Sequence, residues 1–191
     1  RMSAMVPESI FSQGQMPTLK EVLASREQRA FFEEEISKTN ANQTLISLKC
    51  NIPGPVKYNA IVRQISEIGI QEVKNAIQKN KWKVTYEKLM DLDTGPEYFV
   101  VVDTYPTAVK QAAIMIEDGS LLGQLFTINV FYLEEGKMIE VQRMEIGYEP
   151  RKCMICGDEA FECENKNVHT REEIQKKIES ILQEDGRVRL D

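Results

Sequence analysis

The sequence predicts an α+β fold, with a largely antiparallel or mixed sheet flanked by helices. Three observations predict it. Segments of helical period alternate with segments of period two in an irregular order, not as a repeated strand and helix unit. Two helical segments open on a capping box, Thr18-Leu-Lys-Glu21 and Thr170-Arg-Glu-Glu173. The 191 residues are 42% hydrophobic and 28% charged, which suffices for one filled core without disulfide staples.

The elements follow in order. Pro17 and the first capping box start a helix running toward Lys38, with Leu19, Val22, Leu23, Phe31, Phe32 and Ile36 as a broken apolar stripe. Thr44 to Cys50 sets Ile46, Leu48 and Cys50 at period two, a strand, and Pro53-Gly-Pro55 then breaks the chain. Asn59 caps a second helix toward Asn80, with Ile61, Ile65, Ile68, Val73 and Ile77 at helical spacing. Trp82, Val84 and Tyr86 alternate as a strand. Asp93-Thr-Gly-Pro96 turns the chain into a strand from Tyr98 to Asp103. Pro106 starts a short helix to about Ile116. Leu125 to Leu133 and Lys137 to Met144 form a hairpin through Glu134-Glu-Gly136. The second capping box opens a last helix with Ile174, Ile178, Ile181 and Leu182 on one face.

Charge and composition narrow the function. Thirty acidic against 24 basic side chains, a formal charge of −6, argue against a general nucleic-acid binder, which needs a basic surface. A local basic pocket for one phosphorylated small molecule remains compatible with that balance. A single His excludes any mechanism needing two imidazoles. The opening residues, Arg1 to Glu8, lack an apolar h-region, and no apolar run approaches the ~20 residues of a membrane helix. No secretory leader and no membrane partner are therefore expected, and a cytoplasmic setting with reduced thiols is.

Three segments carry chemistry. Cys153-Met-Ile-Cys156, Cys163 and His169 give C-x2-C-x6-C-x5-H, a set of three sulfurs and one nitrogen that suits tetrahedral Zn2+. The alternative is a pair of core or redox thiols with His169 merely beside the helix cap. Four protein ligands would make the zinc structural. Pro53-Gly-Pro-Val-Lys57 delivers a rigid turn and an amine that could meet phosphate, or a plain connection with a solvated lysine. Thr127 and Asn129 share one strand face, the spacing at which paired carboxylates hold Mg2+, but here as a neutral hydroxyl and amide. Without further context this segment is an ordinary half-buried strand.

Taken together these pieces resemble the citrate lyase holo-acyl-carrier-protein synthase family, also called apo-citrate lyase phosphoribosyl-dephospho-CoA transferase. The resemblance covers about residues 18 to 182. It rests on Leu23-Ala-Ser-Arg-Glu-Gln-Arg29, on Pro53-Gly-Pro-Val-Lys57, on Gly95-Pro-Glu97, Lys110 and Glu117 at family-like spacing, and on the run from Pro150 through Cys153, Cys156 and Cys163 to His169. One motif departs. Where the family reads roughly His-Pro-Leu-Gly-Arg-Leu-Trp/Phe-Asp-Ile/Leu-Asp-Val, this chain has Ser120-Leu-Leu-Gly-Gln-Leu-Phe-Thr-Ile-Asn-Val130, so Thr127 and Asn129 replace the two Asp.

The resemblance implies a nucleotidyltransferase-like catalytic domain over 1–150, with the Cys/His loop and C-terminal helix of 151–191 packed on it. It implies transfer of the 2'-(5''-phosphoribosyl)-3'-dephospho-CoA group from triphosphoribosyl-dephospho-CoA to a serine of the citrate lyase acyl carrier protein, with diphosphate released. By the same resemblance, Glu117, Lys110, Asn129 and Thr127 are the catalytic candidates. Arg26, Lys57, Gly123 and Gln124 are the donor-binding ones, and Mg2+ is the cofactor. Loss of both carboxylates takes about two negative charges from such a Mg2+ site. The emptied signature also fits a catalytically inactive member that binds a nucleotide-like ligand or an acyl carrier protein, and a third reading keeps the nucleotidyltransferase fold with a different donor.

Overall fold

The computed structural model describes residues 9–191. Residues 1–8, on which the expectation of no leader rests, lie outside the described residues. The element order is α1 (Leu19–Thr39), β1 (Thr44–Cys50), α2 (Ala60–Lys79), β2 (Val84–Leu92), β3 (Gly95–Val102), α3 (Pro106–Asp118), β4 (Phe126–Glu134), β5 (Lys137–Glu140), α4 (Ala160–Asn165) and α5 (Arg171–Asp185). Short 3-10 turns at Leu122–Leu125 and Arg143–Ile146 flank β4 and β5. The five strands form one sheet in the order β2-β3-β1-β4-β5, antiparallel at every pairing, the antiparallel form of the expected sheet. Among the described residues no helix is long and apolar enough to cross a membrane.

Local chemistry accounts for the ends. Thr18 Oγ1 accepts from Glu21 N at 3.1 Å, Asn59 Oδ1 from Val62 N at 2.9 Å and Thr170 Oγ1 from Glu173 N at 3.1 Å, each satisfying an orphan donor of a first turn. Pro106 stands in the first turn of α3, where a missing N–H costs nothing. Gly54 lies at φ +90°, in the left-handed region that disfavours a side chain, so Pro53-Gly54-Pro55 turns where only glycine turns easily.

The larger core lies on one face of the sheet, against α2, α3 and α5. Ile46 and Leu48 of β1, Tyr98, Val100 and Val102 of β3, and Phe126, Ile128 and Val130 of β4 meet Val62, Ile65, Val109, Ile178 and Leu182. Gly123 in the turn before β4 packs so closely on the end of α3 that a Cβ would overlap the carbonyl oxygen of Ile116.

The opposite face is divided along its length. At one end Leu45, Phe99, Val101 and Phe131 pack under Phe32 and Ile36 in the second half of α1. At the other end the same strands present Ser47, Lys49, Glu97, Thr127 and Asn129, and the first half of α1 faces them with Val22, Ser25 and Arg29.

That division corrects two expectations. The apolar stripe of α1 is not its sheet-facing stripe, because Leu19, Leu23 and Phe31 are exposed. A helix whose first half covers a polar cleft needs polar residues on its inner side. The second hairpin strand ends at Glu140, not Met144. Beyond it the edge N–H of Ile128 is taken by the Glu117 carboxylate at 3.0 Å, where another strand residue would have paired.

Candidate functional site

β1 carries apolar residues on its core face and Leu45, Ser47 and Lys49 on the other. In register, Lys49 lies opposite Thr127 on β4 and opposite Glu97 on β3, while Ser47 lies opposite Asn129. The chain after β1 turns at Pro53-Gly-Pro55 and brings Lys57 to the same end of the sheet. α1 crosses above with Ser25, Arg26 and Arg29. The result is a cleft of about 270 Å³ whose lining includes Arg26, Arg29, Lys49, Lys57, Thr127 and Asn129. Its lining has four basic side chains and no carboxylate.

Electrostatics and hydrogen bonds fix these groups. Arg29 Nη1 lies 2.7 Å from Glu97 Oε1, so that buried carboxylate is already engaged, while Glu33 of α1, buried beside Ser47, is raised by burial. Lys49 Nζ donates to the Thr94 carbonyl at 2.9 Å and Lys57 Nζ to the Ile52 carbonyl at 2.8 Å. Burial pushes the Lys49 ammonium down to about 8, partly opposed by Glu97. Burial, with Arg26 and Arg171 nearby, also lowers Lys57. Ser25 Oγ and Thr94 Oγ1 are 3.1 Å apart at the rim. A cavity rich in cationic and hydroxyl donors suits an anion with several oxygens.

The same donor set does not fit Mg2+. The strand positions facing the cleft offer a hydroxyl and an amide, and an ammonium stands in register with one of them. Mg2+ held by protein relies on carboxylates.

The other expected site residues separate from the cleft. Glu117 and Lys110 are buried on α3 at the edge of β4. The Glu117 carboxylate accepts from Arg143 at 2.9 Å, from Arg151 at 3.0 Å and from the Ile128 N–H at 3.0 Å. Lys110 is lowered by burial, opposed by Glu117 and Glu140. Arg151 further donates to the Gly123 and Gln124 carbonyls, at 3.2 and 2.8 Å, tying the C-terminal section to the turn before β4. Gly123 thus has a packing position. Gln124 lines a second cavity of about 300 Å³, which shares Asn51 and Thr127 with the cleft and extends to Arg151, Cys153, Cys163 and His169.

At that cavity the donor atoms of Cys153, Cys156, Cys163 and His169 lie within 4.8 Å of one another. A tight turn after Cys153 closes through Gly157 N to the Cys153 carbonyl at 3.0 Å, and α4 supplies Cys163. His169 Nδ1 is 3.4 Å from Glu173 Oε2, while its buried Nε2 has no hydrogen-bond partner. A carboxylate beside one ring nitrogen and a buried second nitrogen without a partner, in a ring that adjoins three thiols, suit a metal-ligating histidine. The cluster can hold a metal ion such as zinc. Cys50 stands apart in β1, where burial pushes its thiol up to about 11.

Spacing alone does not mark Lys49 and Arg29 as site residues, yet both line the cleft, and Glu97 stands behind it as the partner of Arg29. The available signal was the period-two polar face Ser47-x-Lys49, which matches Thr127-x-Asn129 two residues at a time.

The family model described as apo-citrate lyase phosphoribosyl-dephospho-CoA transferase matches residues 17–185. A protein of Streptococcus pyogenes serotype M18 (strain MGAS8232), named "Probable apo-citrate lyase phosphoribosyl-dephospho-CoA transferase", is 29% identical over 178 residues, 93% of this chain and 91% of that protein. One of the same name from Vibrio cholerae serotype O1 (strain M66-2) is 30% identical over 166 residues, 86% of this chain and 90% of its own length. "Protein CitXG" of Leuconostoc mesenteroides subsp. cremoris is 30% identical over 172 residues; they cover 90% of this chain, which spans only 36% of that relative.

Proposed function

The chain belongs to the apo-citrate lyase phosphoribosyl-dephospho-CoA transferase family, and on that premise we propose that it attaches the phosphoribosyl-dephospho-CoA group to a serine of the citrate lyase acyl carrier protein. The donor is triphosphoribosyl-dephospho-CoA. The serine oxygen forms a bond to the α-phosphorus, the bond to the bridging oxygen breaks, diphosphate leaves and the hydroxyl proton is released. The observation that carries this reading is the acid-free cleft with Arg26, Arg29, Lys49 and Lys57 on its walls.

Phosphoryl-group transfer of this kind needs positioning and neutralisation of charge more than covalent participation by the protein. Lys49, Lys57 and Arg26 would bind the triphosphate, and Thr127 and Asn129 would donate to its oxygens. Arg29, held by Glu97, would fix the height of α1 over the cleft. The adjoining cavity that meets the cleft at Asn51 and Thr127 gives an elongated donor room to continue toward Gln124. Glu117 is not carried forward as a base or a metal ligand, since its oxygens already accept from Arg143, Arg151 and Ile128. Its role is to position β4. Zn2+ held by Cys153, Cys156, Cys163 and His169 would clip the segment between Arg151 and α5, with no open position for substrate. A cytoplasmic setting, where thiols stay reduced, suits that cluster.

A second reading is favoured by one observation, the neutral pair Thr127 and Asn129: the chain keeps the binding cleft without turnover. The test is mass spectrometry of apo acyl carrier protein incubated with donor and this chain. A mass increase of one prosthetic group supports transfer. No adduct, on an acceptor that a family member with both Asp does modify, overturns transfer, and donor binding measured on the same protein then supports the binding-only reading.

A further inference from the structure

We infer that the cleft between the first half of α1 and the sheet binds polyphosphate directly, without a divalent cation, its basic side chains supplying the neutralisation that paired carboxylates and a metal would provide. The inference deepens the proposed function and rests on it only for the kind of anion, the triphosphate end of the donor.

The charge pattern carries it first. The chain has 30 acidic residues, yet none lines this cleft, and four of its basic residues do. Two buried acids stand behind it: Glu97 is paired with Arg29, and Glu33, beside Ser47, is raised by burial, which favours its neutral form. A cation entering here would meet the ammonium of Lys49 and the Lys57 side chain with no carboxylate in the lining to ligate it, and Glu97 behind Lys49 is already paired with Arg29. An anion relieves the repulsion from Arg26 and Arg171 that, after burial, lowers the Lys57 ammonium.

Hydrogen-bond capacity points the same way. Lys49 and Lys57 are each anchored by one bond to a main-chain carbonyl. An ammonium has three donors, so each has two more to give. Thr127 stands in register with Lys49, and Asn129 with Ser47. A hydroxyl and an amide can donate to phosphate oxygens, which a carboxylate at either position would repel. The two replacements and the lysine row therefore make one coherent change: the groups that would hold a metal have become groups that hold the metal's ligand.

The test is calorimetric titration of the full chain with inorganic tripolyphosphate, in buffer with EDTA and in buffer with Mg2+, with zinc content measured in both. Affinity in EDTA equal to or tighter than in Mg2+ is expected, because Mg2+ neutralises part of the anion. Lys49→Met should weaken binding in EDTA by about tenfold or more, the equivalent of one charge-assisted hydrogen bond. The double variant Thr127→Asp/Asn129→Asp should bind about tenfold more weakly in EDTA and recover with Mg2+, the reverse of the natural chain. This arm decides the matter even where Lys49→Met fails to fold. Binding that needs Mg2+, binding indifferent to Lys49→Met in a folded variant, or no binding in either buffer overturns the inference. Metal-free binding without adduct formation would refute transfer alone, and adduct formation with Mg2+-dependent binding would refute this inference alone.

Discussion

Arg29 and Glu97 form an ion pair of 2.7 Å between α1 and β3, with the carboxylate side chain 3% exposed and the guanidinium 21%. It joins the part of α1 that covers the cleft to the sheet beneath. Glu97→Gln leaves a largely buried guanidinium with a weaker acceptor. The expected cost is about 1–3 kcal/mol, below that of a fully buried pair because Arg29 keeps some water. Urea denaturation of the variant should move the midpoint down without changing the slope.

Lys49 sets a pH signature with opposite signs for folding and binding. Its ammonium titrates near 8 in the folded protein, against an ordinary 10.5. Between those values the unfolded chain holds more protons, so this residue's share of stability rises as pH increases through the window. Anion binding needs the protonated form and should weaken as pH rises through 8. Stability and tripolyphosphate affinity measured from pH 7 to 10, with Lys49→Met subtracted, should show the two slopes diverging. Parallel slopes would show that Lys49 is not the titrating group.

Glu117→Gln separates positioning from chemistry. The carboxylate accepts from two guanidinium groups and a main-chain N–H, and its side chain is 5% exposed. Removing its charge should cost about 3 kcal/mol of stability. Where the variant is folded, adduct formation should fall by less than about tenfold, since loss of a general base costs about 10² to 10⁴. A larger loss at unchanged donor affinity would return Glu117 to the chemistry.

Elemental analysis of protein purified without chelator should find one zinc per chain. Cys163→Ser should lose it and lower the melting temperature, with proteolysis appearing first between Arg151 and Thr170. A zinc-free protein with the same melting temperature would make the four residues a thiol cluster only.

Much of this was legible in the sequence, and the gaps have physical causes. Thr18, Asn59 and Thr170 fix helix starts by local hydrogen bonds, which spacing alone reveals. The gaps between Cys153, Cys156, Cys163 and His169 likewise announce a cluster, because such a clip is nearly local. Lys49, Glu97 and Arg29 are 20 to 70 residues apart and meet only through strand order and the crossing of α1, which no period encodes. The stripe of α1 misled for a related reason. Its inner side, Val22, Ser25, Arg29, Phe32 and Ile36, mixes polar and apolar residues because the helix covers a cleft and then a core. The resemblance puts Lys110 and Glu117 among the catalytic candidates, and their spacing cannot reveal that Arg143 and Arg151 already serve Glu117.

The Glu117 carboxylate on the Ile128 N–H has a further consequence for the molecule as a solute. β5 pairs with β4 from Phe131 to Glu134 and Val141 N donates to the Val130 carbonyl, so the strand before Val130 is an open border of the sheet. A side chain from α3, pinned by Arg143 and Arg151, occupies that border where a foreign strand would dock. That stretch of the border is thereby closed to pairing with another strand, so the three residues that shape β4 also cap its free edge.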